Sequence, residues 1–171
     1  MCYNRDMKKL TILCFALILG VSFSGEVFAV SKAQEAAISD HCDTIRDSLK
    51  NVQKMDARTR VFLGSHYETV LSKFITPLNL RLVENNLSDM GLIGNQNKFA
   101  TVKATFSADF ISYQQELEVL VNMDCKTEPD KFYEKLELVR AKRKTMTLDV
   151  RKMKDLMTKN IELVEKIKGN L

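Results

Sequence analysis

Apolar residues recur along this chain at intervals of three and four, the period of one helix face. The first run past residue 30 is Ile38, Cys42, Ile45, Leu49 and Val52, spaced 4-3-4-3 like the seam of a coiled coil. It drifts near Met55 and resumes with Leu63, Tyr67, Val70 or Leu71, and Phe74. Ser31-x-x-Gln34 in front of it reads as a capping box. Pro77 interrupts the run, because the residue before a proline is pushed away from helix. A first helix is therefore predicted over about 31–76, followed by a short capping segment over 77–94 that is rich in turn formers.

A second helix, predicted over about 95–125, uses Phe99, Val102, Phe106, Phe110, Tyr113, Leu117 and Leu120. Its spacing contains one extra step, which locally unwinds a supercoil. The third is announced by Thr127-Glu128-Pro129-Asp130, a hydroxyl cap with a first-turn proline and acidic residues at the positive dipole end. From Phe132 to Ile167 a 4-3 register persists, broken only by Arg143 and Asn160, and sets the helix at about 128–168.

The first 29 residues follow a different pattern. Arg5, Lys8 and Lys9 precede an apolar run from Leu10 to Phe23, and Val27-Phe28-Ala29 offers small residues at −3 and −1. This is the layout of an export signal, and the run is short for a membrane span, which needs about 20 residues. Residues 1–29 are expected to be a signal peptide and 30–171 a single helical domain, placed in the periplasm, the cell envelope or the secreted space. Of the 26 Lys+Arg and 22 Asp+Glu, three and two lie in the signal, leaving 23 against 20. That mildly basic balance does not point to nucleic acid. Two prolines, six glycines and no Trp favour helix over sheet.

Four cysteines divide evenly. Cys2 and Cys14 leave with the signal, and Leu13 before Cys14 does not suit a lipid anchor, so Cys42 and Cys125 remain for one disulfide. Joining them places 34 residues of the first helix beside 30 of the second, in agreement within about a turn. The predicted fold is all-α: an elongated up-down-up three-helix antiparallel bundle, coiled-coil-like, about 60 Å long at ~1.5 Å per residue. In that alignment Asp56, Asp109 and Arg143 fall at similar heights. They are expected to form a buried polar layer in which Arg143 pairs with Asp56, Asp109 or both, since a lone core charge is costly.

Reactive chemistry is sparse. His41 and His66 stand 25 positions apart on one predicted helix, and Asp40-His41-Cys42-Asp43 fans out around the helix instead of converging. No metal-ligand spacing, phosphate loop or nucleophile elbow is present, so no enzyme, cofactor or metal is expected. Asn86-Leu87-Ser88 is a formal glycosylation sequon. The strongest charge feature is a basic waist built from Lys54, Arg58, Arg60, Arg140, Lys142, Lys144, Arg151 and Lys152. It is a candidate landing site for an anionic envelope polymer, a lipid surface or an acidic partner, set against its plainer reading as a solvated helix flank. Nucleic acid is disfavoured, because the run lacks interleaved aromatics.

In its basic, coiled-coil-rich outline the chain resembles the small exported helical chaperones of the bacterial envelope, a likeness of architecture only. The function expected is that of an exported, non-enzymatic helical interaction or structural protein with an unknown protein partner, its long flanks suited to homo-oligomerisation. The alternatives are a holdase-type periplasmic chaperone and a membrane-tethered helical adaptor that keeps its signal.

Overall fold

The structure is a computed structural model and describes residues 30–169; the expected signal segment lies outside them. Among the described residues the protein is helical and contains no strand. Helix α1 spans Lys32–Asp40 and α2 spans Cys42–Thr69, with His41 (φ −106°, ψ 15°) as a one-residue break that the expected single helix lacked. A π-helical segment, Val70–Ile75, leads directly into α3, Thr76–Glu84. Helix α4 runs Met90–Asn122 and α5 runs Pro129–Lys168. These helices pack together: α4 lies along α5, α2 and α3 pack on α4, and α1 packs on α5.

The apolar stripes become the core. Phe99, Tyr113, Leu117 and Leu120 of α4 and Met153 of α5 are completely buried, and Phe132 is nearly so. Rings from two helices interlock, with Tyr67 edge-on to Phe99 at 6.1 Å and to Phe106 at 6.3 Å. At one end Cys42 and Cys125 form a disulfide with Cα atoms 5.5 Å apart. Around it the Arg46 guanidinium donates to the Met123 carbonyl (2.8 Å) and the Ser39 hydroxyl to that of Lys126 (3.2 Å).

The expected stop at Pro77 does not occur, and the reason is local. A proline inside an α-helix lacks its N–H and crowds the carbonyl four residues back. Here the turn before it widens to π geometry, and the Thr76 N–H donates five residues back to the Leu71 carbonyl. The helix passes through Pro77 at the cost of one extra residue in the turn. At about 100° per residue, that extra step rotates everything beyond it. Phe74, expected in the seam, is 65 % exposed, while Ile75 takes the buried position.

The segment 77–94 is thus largely helix, and the true turn is confined to residues 85–89. Asn86 adopts φ 58°, a left-handed conformation that asparagine tolerates. Leu87 N–H bonds back to the Leu82 carbonyl (2.8 Å) and Asn86 N–H to that of Val83 (3.1 Å), the paired bonds of a Schellman stop. Helix α4 then starts five residues earlier than expected, because the Asp89 carboxylate caps the Leu92 N–H at 3.0 Å. Gly91 and Asn95 read as turn formers for other reasons. A Cβ on Gly91 would sit 2.7 Å from the capping Asp89 Oδ1, and Asn95 is buried, donating to the Leu156 carbonyl at 2.8 Å. Nor does the Thr127 hydroxyl cap α5: its N-cap is Glu128, and the Asp124 carboxylate instead accepts the Lys126 and Thr127 N–H groups.

Candidate functional site

The most distinctive surface lies where the π segment meets the C-terminal half of α5. Val70, Phe74, Ile75, Pro77 and Leu78 form one wall of a groove of about 570 Å³, and Met157, Ile161 and Val164 form the other. Lys73, Arg81, Asn160 and Glu165 are the polar residues that line it. Phe74 and Ile161 are 65 % and 66 % exposed, so two large apolar side chains face solvent across the opening. Asn160 is only 8 % exposed, yet neither amide atom has a hydrogen-bond partner. A buried amide left unpaired in this way costs about 1–3 kcal/mol. Glu165 is 3.9 Å from Lys168, whereas Lys73 and Arg81 have no anionic partner among the described residues.

The π turn creates this groove: by turning Phe74 outward it exposes a ring that the heptad pattern assigns to the core. Sequence spacing gave no warning of that rotation. Asn160 was visible as a break in the α5 stripe, but its lack of partners was not. One further polar group closes the region from behind: Asn79, 7 % exposed, donates to Gln96 Oε1 (2.6 Å), and Gln96 donates to the Thr76 hydroxyl (3.1 Å). That chain fixes α3 against α4 and so fixes the wall.

The expected polar layer takes a different form. Arg143 Nη2 lies 2.9 Å from Asp56 Oδ1, but the Arg143 side chain is 54 % exposed and Asp56 15 %, so the pair sits at the rim of the core and is not a buried layer. The Tyr113 hydroxyl, unanticipated, donates to Asp56 Oδ2 at 2.6 Å from a fully buried ring. Burial first, and then the bond to Asp56 and its charge, push the Tyr113 phenol well above its ordinary range. The Asp56 hydrogen bond chiefly raises the Arg143 guanidinium. Because half the Arg143 side chain meets water, Arg143→Met is expected to cost less than about 1 kcal/mol. Tyr113→Phe, which removes a donor carried on a fully buried ring from a carboxylate at the core's rim, is expected to cost about 1.5–3 kcal/mol. Chemical denaturation of both variants checks the order, and a larger loss in the arginine variant would reverse it.

Asp109 is not in that cluster. It lies near Asp149 of α5, a residue 1 % exposed whose Oδ1 lies 3.1 Å from Lys152 Nζ and whose Oδ2 is buried without a donor among the described residues. Two carboxyls can hydrogen-bond only if one holds a proton. Burial, then the bond to Asp149 and its charge, raise the Asp109 pKa, and Lys142 and Lys152 oppose this. A folded-state pKa raised above the unfolded value means the contribution is complete below the ordinary carboxylate range and is lost as pH rises through the raised value. Asp109→Asn supplies a permanent donor. Its melting temperature should match the wild type in acid and exceed it near neutrality, a crossover readable by calorimetry at several pH values. Equal pH profiles would contradict it.

The basic waist is only partly free. Arg140 pairs with Glu137 (2.5 Å), Lys152 with Asp149, and Lys142 donates to the Ser112 hydroxyl (2.7 Å). The Arg60 guanidinium lies 5.2 Å from the centre of the Phe110 ring. Lys144 and Arg151 share one face of α5 with Arg140 and Arg143, whereas Lys54 and Arg58 are exposed on α2. Among the described residues no group of His, Cys, Asp and Glu is arranged to hold a metal ion, and no helix is long and apolar enough to cross a membrane. Comparison with protein-family models, with curated proteins and with solved structures finds no match.

Proposed function

We propose that this is an exported, non-enzymatic helical protein of the cell envelope or secreted space whose working surface is the groove between the π segment and α5. The observation that carries this reading is the exposure of Phe74, a seam position in the heptad pattern, and of Ile161 opposite it, over an apolar trough. Contiguous exposed apolar surface rimmed by polar residues marks interaction sites. Export is supported by the charged, apolar and small-residue order of residues 1–29 and by the Cys42–Cys125 disulfide, which suits an oxidising compartment.

The scaffold is read as an up-down-up bundle. Contacts between α2–α3 and α4 pair residues whose numbers rise on one side as they fall on the other: Cys42 with Cys125, Asp56 with Tyr113, Tyr67 with Phe99, Asn79 with Gln96. The same holds for α4 with α5, through Glu116 with Lys135 and Asn95 with Leu156. Asp56 with Arg143 and Ser39 with Lys126 rise together, as for two helices running the same way.

Crosslinking in the native host tests the reading. A partner captured by the wild type should be lost from a Phe74→Asp/Ile161→Asp double variant that keeps its helicity; capture unchanged by both substitutions would place the working surface elsewhere. The holdase alternative draws on Val61 and Phe62 of α2, further large apolar side chains that are 69 % and 71 % exposed. Equimolar protein would then suppress aggregation of an unfolded client.

A further inference from the structure

We propose that the groove holds the acyl chain of a long-chain fatty acid, with the carboxylate at Lys73 on the π turn; this rests on the groove being the working surface. Its volume, about 570 Å³, falls within the ~300–1,000 Å³ of small-molecule sites. Eight of its twelve lining residues are apolar, and they run along both walls. The walls are helices, whose backbone groups are bonded internally, and among the described residues no strand edge is on offer to an extended peptide. An extended peptide would bring unpaired backbone amides into that trough and find few partners for them. An alkyl chain brings none.

The polar groups sort in the same direction. Among the described residues Lys73 and Arg81 are exposed cations without anionic partners, and the acid lining the groove, Glu165, already has Lys168 beside it, so the lining favours an anion. Asn160 also lines the groove, its buried side-chain amide without a hydrogen-bond partner in the structure. An apolar trough with a few polar groups that orient one end of the ligand is the usual build of an amphiphile site. The π turn supplies two of the pieces at once, carrying Lys73 and turning Phe74 over the opening, and π turns recur at functional sites.

The experiment is a titration of full-length protein with oleate and with oleyl alcohol below their aggregation limits, read by displacement of a fluorescent fatty acid. Oleate should bind saturably at one per chain, and the alcohol about tenfold more weakly, as loss of a charge-assisted contact implies. Lys73→Glu/Arg81→Glu should weaken oleate by about tenfold or more and leave the alcohol unchanged. Phe74→Asp/Ile161→Asp should weaken both, with helicity by circular dichroism confirming that these exposed substitutions leave the fold intact. Absence of saturable oleate binding, or an oleate affinity indifferent to the charge reversal, overturns the inference. If oleate fails while the crosslinked partner still depends on Phe74 and Ile161, the groove is a protein-docking face, and the proposed function stands without the fatty acid.

Discussion

Replacing Cys42 and Cys125 with alanine is expected to lower the stability of the folded chain by about 4 kcal/mol, equivalent to roughly 10 °C or more in melting temperature. The crosslink joins residues 83 apart, and a loop of that length removes a large share of the unfolded chain's freedom. Both cysteines are essentially buried, at 1 % and 0 % exposure, so small apolar cavities add to the loss. What remains at that end is a modest set of polar contacts: Arg46 to Met123, Ser39 to Lys126, and an exposed Lys126–Asp43 ion pair. Exposed ion pairs contribute at most about 1 kcal/mol. The lysine bond nevertheless holds the Asp43 carboxyl below its usual range. Thermal melts with and without reductant should therefore separate for the wild type and coincide for the variant. Hydrogen exchange should quicken first in α1 and the start of α2. A wild type indifferent to reductant would show that the sulfur link does not govern stability.

Phe99→Ala is expected to be the most damaging single core substitution, at about 3–5 kcal/mol. Phe99 is completely buried and meets the Tyr67 ring edge-on, a contact that adds about 0.5–1.5 kcal/mol beyond its area. It lies where α2 packs on α4, close to the π turn, so a cavity there loosens the ring cluster of Tyr67 and Phe106 as well. Phe62→Ala is the matched control. Phe62 is 71 % exposed and stacks only on His66, so its removal should fall within about ±0.5 kcal/mol. Urea midpoints of the two variants give the comparison directly. Similar losses at both positions would mean that exposure does not rank these rings, and the assigned core would be wrong.

The helices and their staple were legible in the residues alone. Spacings of three and four marked the α4 and α5 stripes correctly from Phe99 to Leu120 and from Phe132 to Met153, because burial on one face repeats with the helix turn. The disulfide followed from elimination, since Cys42 and Cys125 were the cysteines left beyond the first 29 residues. Asp89 was legible in principle, as an acid three residues before Leu92, but the glycines on either side of Leu92 masked it as a turn.

Other features depend on neighbours that no local pattern names. Pro77 and its preceding turn look like a helix end, yet one extra residue of π geometry in the turn before it lets the helix pass through the proline. Asp149 stands in sequence between the basic residues Lys144 and Arg151; α4 against α5 buries it and sets Asp109 near it. The Tyr113 hydroxyl was counted as part of an apolar stripe, and its bond to Asp56 exists only because α2 crosses at that height. Periodicity records which face of a helix is apolar, a property of one segment. Which polar atoms meet, and which apolar side chains are left facing water, depends on helix rotation to within a fraction of a turn, and that is settled only when segments distant in the chain pack together.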